Sequence, residues 1–333
     1  MNAVPIPKPP VPMSPVPMPP SPTPPARALI AKAHAQAEAA ARAAAVTIRE
    51  LTEPGEHGAA AEVFTRVWAL EPGQSLVPTG LMRVMAYEGC YIAGVFDDRH
   101  GDRLIGAATA FLASDVEQRG GIHLHSHITG MLPEAGGRHA GFALKLHQRA
   151  WALSRGLRRI TWTFDPLVRA NAYFNLAKLG ADATAYLVDF YGDMPDGVNA
   201  GQGSDRLLMN WALDSARTDT AAGGTRIEPQ NEESLLSANK VLLSGIAPGM
   251  RPDPGPPSDF GGSLLCATPA AIQTLRREQP ELARSWRFAL RGALTDAMGR
   301  GYRITGFTRS GWYLLEQPEQ PEQPEHHEEN ERR

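Results

Sequence analysis

The sequence predicts an α/β fold: a mixed central sheet with helices on both faces, then a small C-terminal β-α-β-β unit packed on it, with tails at both ends. Two observations carry this. Between residues 46 and 215, short alternating runs take turns with stretches whose apolar residues recur at helical spacing. Glycine and proline punctuate the joins, and composition shifts sharply at Val46 and after Leu315.

Taken in order, residues 1–26 are proline-rich and predict an extended, solvated polyproline-type tail. Arg27 to Ala45 is alanine-rich, which favours helix but gives too few bulky side chains to build a core. Residues 1–45 are therefore read as a disordered or helical extension. VTIRELTE, from Val46, predicts a strand ended by Pro54 and Gly55. Ala60, Phe64, Val67 and Trp68 fall at helical spacing in 59–70, and 79–88 predicts a second short helix. Two strands, 91–97 and 104–113, flank the polar turn DDRHGDR as a hairpin. Strand 122–132 and helix 138–155 follow, the helix closed by Gly156. Strand 159–165, helix 169–179 with Gly180 at its end, and strands 184–191 and 206–213 complete the first unit, 46–215.

Residues 216–316 predict a C-terminal α/β unit too small to stand alone comfortably. NEESLLSANKVLL reads as helix and SLLCA as a short strand. Thr268-Pro269 offers an N-cap and first turn. Helical spacing runs through Leu282, Trp286, Leu290 and Ala297, and two strands, 302–308 and 312–315, close the unit. Residues 317–333 are a repetitive charged tail expected to stay solvated.

Composition excludes several classes. Of 333 residues, 33 are basic and 36 acidic, so no electrostatic footprint of nucleic-acid binding appears. The two cysteines, Cys90 and Cys266, lie far apart among apolar residues, which argues against a disulfide framework and for a reducing compartment. No apolar run is long enough to span a membrane, and no signal pattern opens the chain. A cytoplasmic protein is expected, its oligomeric state undetermined by sequence.

The chemistry concentrates in Gly121–Arg155, GIHLHSHITGMLPEAGGRHAGFALKLHQRAWALSR. Strand, glycine-rich turn and helix N-terminus in succession form an anion site, because turn amides point outward and the helix dipole favours negative charge. With this element order, residues 46–215 resemble the GNAT acyltransferase superfamily. Its signature turn, Arg/Gln-x-x-Gly-x-Gly/Ala, fits here in two registers. One takes Arg138, Gly141 and Ala143; the other, preferred because it keeps the usual strand-to-helix distance, takes Gly136, His139 and Gly141. The runs TWTFDPL, NAYFNLAKLGA, DFYGDM and SDR, and later RGYRITGF and WYLL, resemble a bacterial set of predicted GNAT-like acetyltransferases, extending the likeness to about residue 316.

The resemblance implies acetyl-CoA, or another acyl-CoA, as cosubstrate, bound between two splaying strands, 122–132 and 159–165. It implies acyl transfer to a small-molecule or protein amine. The turn Gly136, Gly137, Arg138, His139, Ala140 and Gly141 would cradle the diphosphate, backbone amides near Met131 and Leu132 would polarise the thioester, and Asn171 and Asn175 would bond cofactor amides. Asn175 equally suits a cap or a bridge between helices. The superfamily's usual tyrosine acid corresponds to Leu176, so Tyr173, three residues earlier, is the substitute, against a packing role for the same ring.

His123, His125 and His127 share one strand face, and His127, nearest the turn, is the candidate base. Such a row also permits a shared metal ion or a plain polar sheet face; no metal is assigned. Asp165 is read as a helix cap or a ligand for a polar group. The rival to an enzyme is a catalytically silent coenzyme A-binding sensor or scaffold.

Overall fold

The computed structural model describes residues 23–115, 120–192, 203–229, 232–238, 240–255 and 262–318. The expectations for the proline-rich tail before residue 23, the charged tail after 318 and most of the loop 192–205 lie outside these residues.

The chain opens with α1 (Pro24–Ala44), β1 (Val46–Glu50), α2 (Pro54–Trp68) and α3 (Thr79–Tyr87). Next come β2 (Tyr91–Asp97), β3 (Arg103–Asp115), β4 (Gly120–Met131), a 3-10 turn at Pro133–Ala135, α4 (Ala140–Ser154) and β5 (Arg159–Phe164). Then follow α5 (Arg169–Tyr173), running directly into a π turn (Phe174–Lys178), β6 (Asp182–Leu187) and β7 (Arg206–Ala212). The strands form a seven-stranded sheet in the order β1-β2-β3-β4-β5-β7-β6. Every pairing is antiparallel except β4 with β5.

Alternation along the strands sends neighbouring residues to opposite layers. Tyr91, Ala93, Val95 and Leu124 join the core under α4, whereas Ile92, Ala107 and Ile128 pack with Phe64, Met82 and Met85 of α2 and α3. This is the mixed sheet with helices on both faces that the sequence predicts.

Three local outcomes differ from expectation. Pro54 and Gly55 start α2 rather than merely ending β1, since proline suits a first helical turn. The alanine-rich segment docks: α1 packs on α4 with Ala33, Ala37 and Ala44 buried, and Gln36 Oε1 accepts from Arg149 Nη1 at 2.7 Å. Small side chains let the two helices approach, so bulk is not required. The helix from Arg169 loses its α pitch at Phe174, where Leu179 N–H bonds Phe174 O across five residues.

The C-terminal unit holds α6 (Ala216–Ala222), α7 (Glu232–Ala238), β8 (Lys240–Ser244), β9 (Asp253–Pro254), β10 (Leu264–Ala267), α8 (Ile272–Glu278), α9 (Pro280–Gly299), β11 (Arg303–Phe307) and β12 (Trp312–Glu316). Its own sheet runs β11-β12-β10-β8-β9. Here VLL, read above as the end of a helix, is strand β8, because it finds a parallel partner in β10. Thr268-Pro269 does not start α8, which begins at Ile272. The Thr268 hydroxyl instead donates to Gly311 O at 2.8 Å. The unit packs on the first one: β11 lies against β6, and the Tyr313 hydroxyl donates to Pro166 O at 2.8 Å. No described helix is long and apolar enough to cross a membrane.

Candidate active site

Strands β4 and β5 are in register only at Leu124–Ile160 and His125–Thr161. Beyond that point a cavity of about 530 Å³ opens between them. Its walls are Ser126 to Thr129 of β4, Trp162 to Asp165, Asn171, Phe174 and Asn175, with Lys145 reaching in from α4 and Gln273 and Arg276 from α8. The parting coincides with a bulge. Ala110 pairs with Ser126 and Thr109 with Ile128, so His127 is an extra residue without a partner on β3. A bulge bends its strand and re-aims the side chains beside it.

His127, the candidate base, lines this cavity. Burial pushes its pKa below the usual histidine value, which leaves the ring neutral near pH 7. His125 is driven further, to about 4, by burial and then by its histidine and lysine neighbours. Its Nδ1 shares a hydrogen bond with the Thr161 hydroxyl at 3.0 Å. Nδ1 of His123 accepts from Arg159 at 2.9 Å, and burial and then that guanidinium lower its pKa. Two of the three imidazoles are thus tied to protein partners. Among the described residues no group of three or more His, Cys, Asp or Glu side chains could hold a metal ion.

The turn after β4 has the backbone an anion site requires. Gly137 and His139 have φ of +75° and +60°, and His139 is the residue before the first turn of α4. Among the described residues the amides of 137–141 have no backbone acceptor. A side chain on Gly136 would sit 2.9 Å from Pro133 O, whereas one on Gly141 would meet only Met131 Cγ at 3.7 Å. The fold therefore needs glycine at 136 but not at 141. Arg138 is held elsewhere: its Nη1 donates to Asp97 at 2.8 Å, and this bond holds the Asp97 carboxyl well below its ordinary range. That engagement weighs against the register in which Arg138 is the signature basic residue.

Several expected site residues are placed otherwise. The Leu132 amide donates to Ile105 O at 2.8 Å and its side chain is buried under α2, so it has no donor to offer a thioester. Met131 sits at the strand end beside Gly106 and Gly141. Tyr173 does not line the cavity. Its hydroxyl donates to Glu228 and accepts from Arg309 Nε at 3.2 Å. Burial and the Glu228 carboxylate push its pKa up. Two side chains of the C-terminal unit, Glu228 and Arg309, thus hold the Tyr173 hydroxyl. Asn171 and Asn175 both line the cavity. Asn175 Oδ1 accepts from Trp162 Nε1 at 3.2 Å, which ties the π turn to β5.

One functional-looking group, Lys145, escaped sequence reasoning, and so did the ion pairs of Asp165. Lys145, between Leu144 and Leu146, is buried, donates to Ser126 Oγ at 2.8 Å and Gln148 Oε1 at 3.1 Å, and lies 4.2 Å from the Trp162 ring. Burial alone brings its pKa down to about 7. A lysine inside an apolar helical run was the available signal. Asp165, read from the sequence as a helix cap or a ligand for a polar group, accepts from Leu167 N–H at 3.0 Å and also holds Arg276 and, through two 2.7 Å bonds, Arg287. Burial would raise its pKa, but the Arg287 bonds outweigh it and the value falls to about 2.

No protein-family model matches the sequence. No curated protein matches it either. Solved structures align with about half the chain. A GNAT-family acetyltransferase from Streptococcus pneumoniae is 16% identical, covers 50% of this chain and 98% of its own, with a TM-score of 0.40. The ribosomal-protein-S18-alanine N-acetyltransferase of Escherichia coli is 15% identical over 51% of this chain and 96% of its own, TM-score 0.40. Chaetomium thermophilum Naa20, solved with a bisubstrate analogue, is 18% identical over 50% and 86%, TM-score 0.39.

Proposed function

We propose that this chain is an acyl-CoA-dependent N-acyltransferase that moves an acetyl group from acetyl-CoA to an amine by direct attack. The parting of β4 and β5 at the His127 bulge supports this reading most strongly. It opens a cavity along β4, and the turn that follows β4 has amides, at the start of α4, with no backbone acceptor among the described residues. Gly136, Gly137 and Gly141 keep that turn clear for a diphosphate, and residues 137–141 supply its donors. Asn171, at the cavity wall, is placed to meet a polar chain lying in the cleft.

Acetyl-CoA supplies a thioester whose carbonyl carbon accepts the amine. His127, neutral at pH 7, takes the proton the nitrogen loses as the N–C bond forms, directly or through one water. The C–S bond then breaks, and the thiolate takes its proton from solvent, since Tyr173 is engaged by Glu228 and Arg309.

That same engagement favours the second reading, a module that binds coenzyme A without catalysis. The two separate in one experiment: calorimetric titration with acetyl-CoA, then free-thiol release with a panel of amines. Binding with amine-dependent thiol release supports the enzyme; binding without it supports the silent module. No binding removes both.

A further inference from the structure

Resting on that reading of the cleft, we propose that Lys145 is an acylation site of the chain itself: its Nζ takes the acyl group of a thioester in the cavity when no amine acceptor is present. Lys145 lines the cavity from α4, and its Nζ donates at 2.8 Å to Ser126 Oγ, one residue before His127. The amine is therefore seated where β4 and β5 part, next to the proposed base. The Trp162 ring, 4.2 Å from Nζ, is a wall of the same cavity.

The surroundings suit a free amine. Among the described residues no carboxylate pairs with Lys145, and its hydrogen-bond partners, Ser126 Oγ and Gln148 Oε1, are neutral. Asp165, the carboxylate on the cavity wall, is taken by Arg276 and Arg287. The other titratable and charged groups around the amine are His125 and His127, whose pKa values burial lowers, and Tyr191, Arg206 and Arg276 on the cavity wall. Burial brings the Lys145 pKa down to about 7. A neutral amine has two N–H groups and one lone pair. The two acceptors use the N–H groups, and the lone pair is left for a carbonyl carbon. Methionine would fill the same space without the cost of burying an amine.

In the reaction Nζ attacks the thioester carbonyl carbon, the N–C bond forms and the C–S bond breaks. The nitrogen sheds one proton to solvent and the departing thiolate takes one from it. The product is an Nε-acyllysine with a single N–H, so one of the two present hydrogen bonds is given up.

The test incubates the full-length protein, with no amine added, with acetyl-CoA and separately with S-acetyl-N-acetylcysteamine, a thioester that lacks the diphosphate. Intact mass should rise by one acetyl group, and peptide mapping should place it on Lys145. The same thioester with Nα-acetyllysine alone sets the unassisted rate. At pH 7 about half of the Lys145 amine is neutral, against about one part in 2,500 for an ordinary lysine. Lys145 should therefore react roughly tenfold faster or more, and its rate should level off above about pH 7 while the reference keeps rising. Gln148→Glu has the same shape and sets a carboxylate against the ammonium, so labelling at neutral pH should slow by about tenfold or more with the lysine still in place.

No acetyl group on Lys145 from either thioester, a rate no greater than the reference, or unchanged labelling in Gln148→Glu overturns the inference. If Lys145 stays unlabelled while acetyl-CoA binds and amines release thiol, the transferase reading stands and this one alone falls. Labelling by the short thioester with no acetyl-CoA binding in calorimetry upholds the Lys145 site and strikes the acyl-CoA reading.

Discussion

Ser126 and Ile128 pair with adjacent residues of β3, so a count of residues leaves His127 as the extra residue of the bulge, its ring 5.7 Å from that of Phe111. If it is the base, His127→Ala should lower kcat about 100-fold at neutral pH. It should also remove the acidic limb of the rate profile, which in the wild type lies below the ordinary histidine pKa. A loss that is uniform across pH would return the ring to a packing role. Lys145 permits a separate test. Its folded pKa of about 7 lies below the unfolded value, so the unfolded chain binds the extra proton between the two. Wild-type stability relative to Lys145→Met should therefore rise as pH climbs from about 7 towards the ordinary lysine pKa near 10.4, and be lowest below 7. Urea unfolding of both proteins across that range measures it. A flat difference would mean that the ammonium stays charged in the fold.

The turn between β4 and α4 is where backbone conformation and chemistry coincide, and its test is one substitution. A side chain on Gly141 meets only Met131 at ordinary contact distance, so Gly141→Asp should fold with a near-native melting temperature. Its carboxylate would nonetheless stand where a diphosphate is to be held, and acetyl-CoA affinity should fall beyond calorimetric detection. Retained affinity would move the cradle elsewhere. The same turn shows the reach of the sequence. Its glycines, strand and helix could be read from local pattern, and so could most elements between 46 and 215. Residues whose partners are remote could not. Asp165 meets Arg276 and Arg287 more than a hundred positions away, Tyr173 is turned by Arg309, and VLL is drawn into β8 by β10. Helical periodicity also cannot report the π turn at Phe174, which shifts the faces that follow it.

At the scale of the whole molecule, Asp165 joins the two units. Asp165→Asn would leave Arg276 and Arg287 buried without that carboxylate, a loss of about 3–5 kcal/mol for a broken buried pair. Guanidinium unfolding should show it, and a loss under about 1 kcal/mol, the value of a surface pair, would contradict the assignment. The sign with pH follows from the depressed pKa. Asp165 contributes fully above its unfolded pKa near 3.9, and the contribution is lost as pH falls through about 2.

One wall of the cleft, Gln273 and Arg276, belongs to a helix encoded far downstream of the sheet it completes. For recombination this makes the chain indivisible at residue 215. A fragment grafted elsewhere would carry the strands, the turn and the histidines, but not the wall that completes the cleft. The cleft is thus encoded in two separate stretches of the gene, and under the proposed transferase reading exchanging the second between relatives would alter what the cleft accepts while leaving β4, β5 and the turn in place.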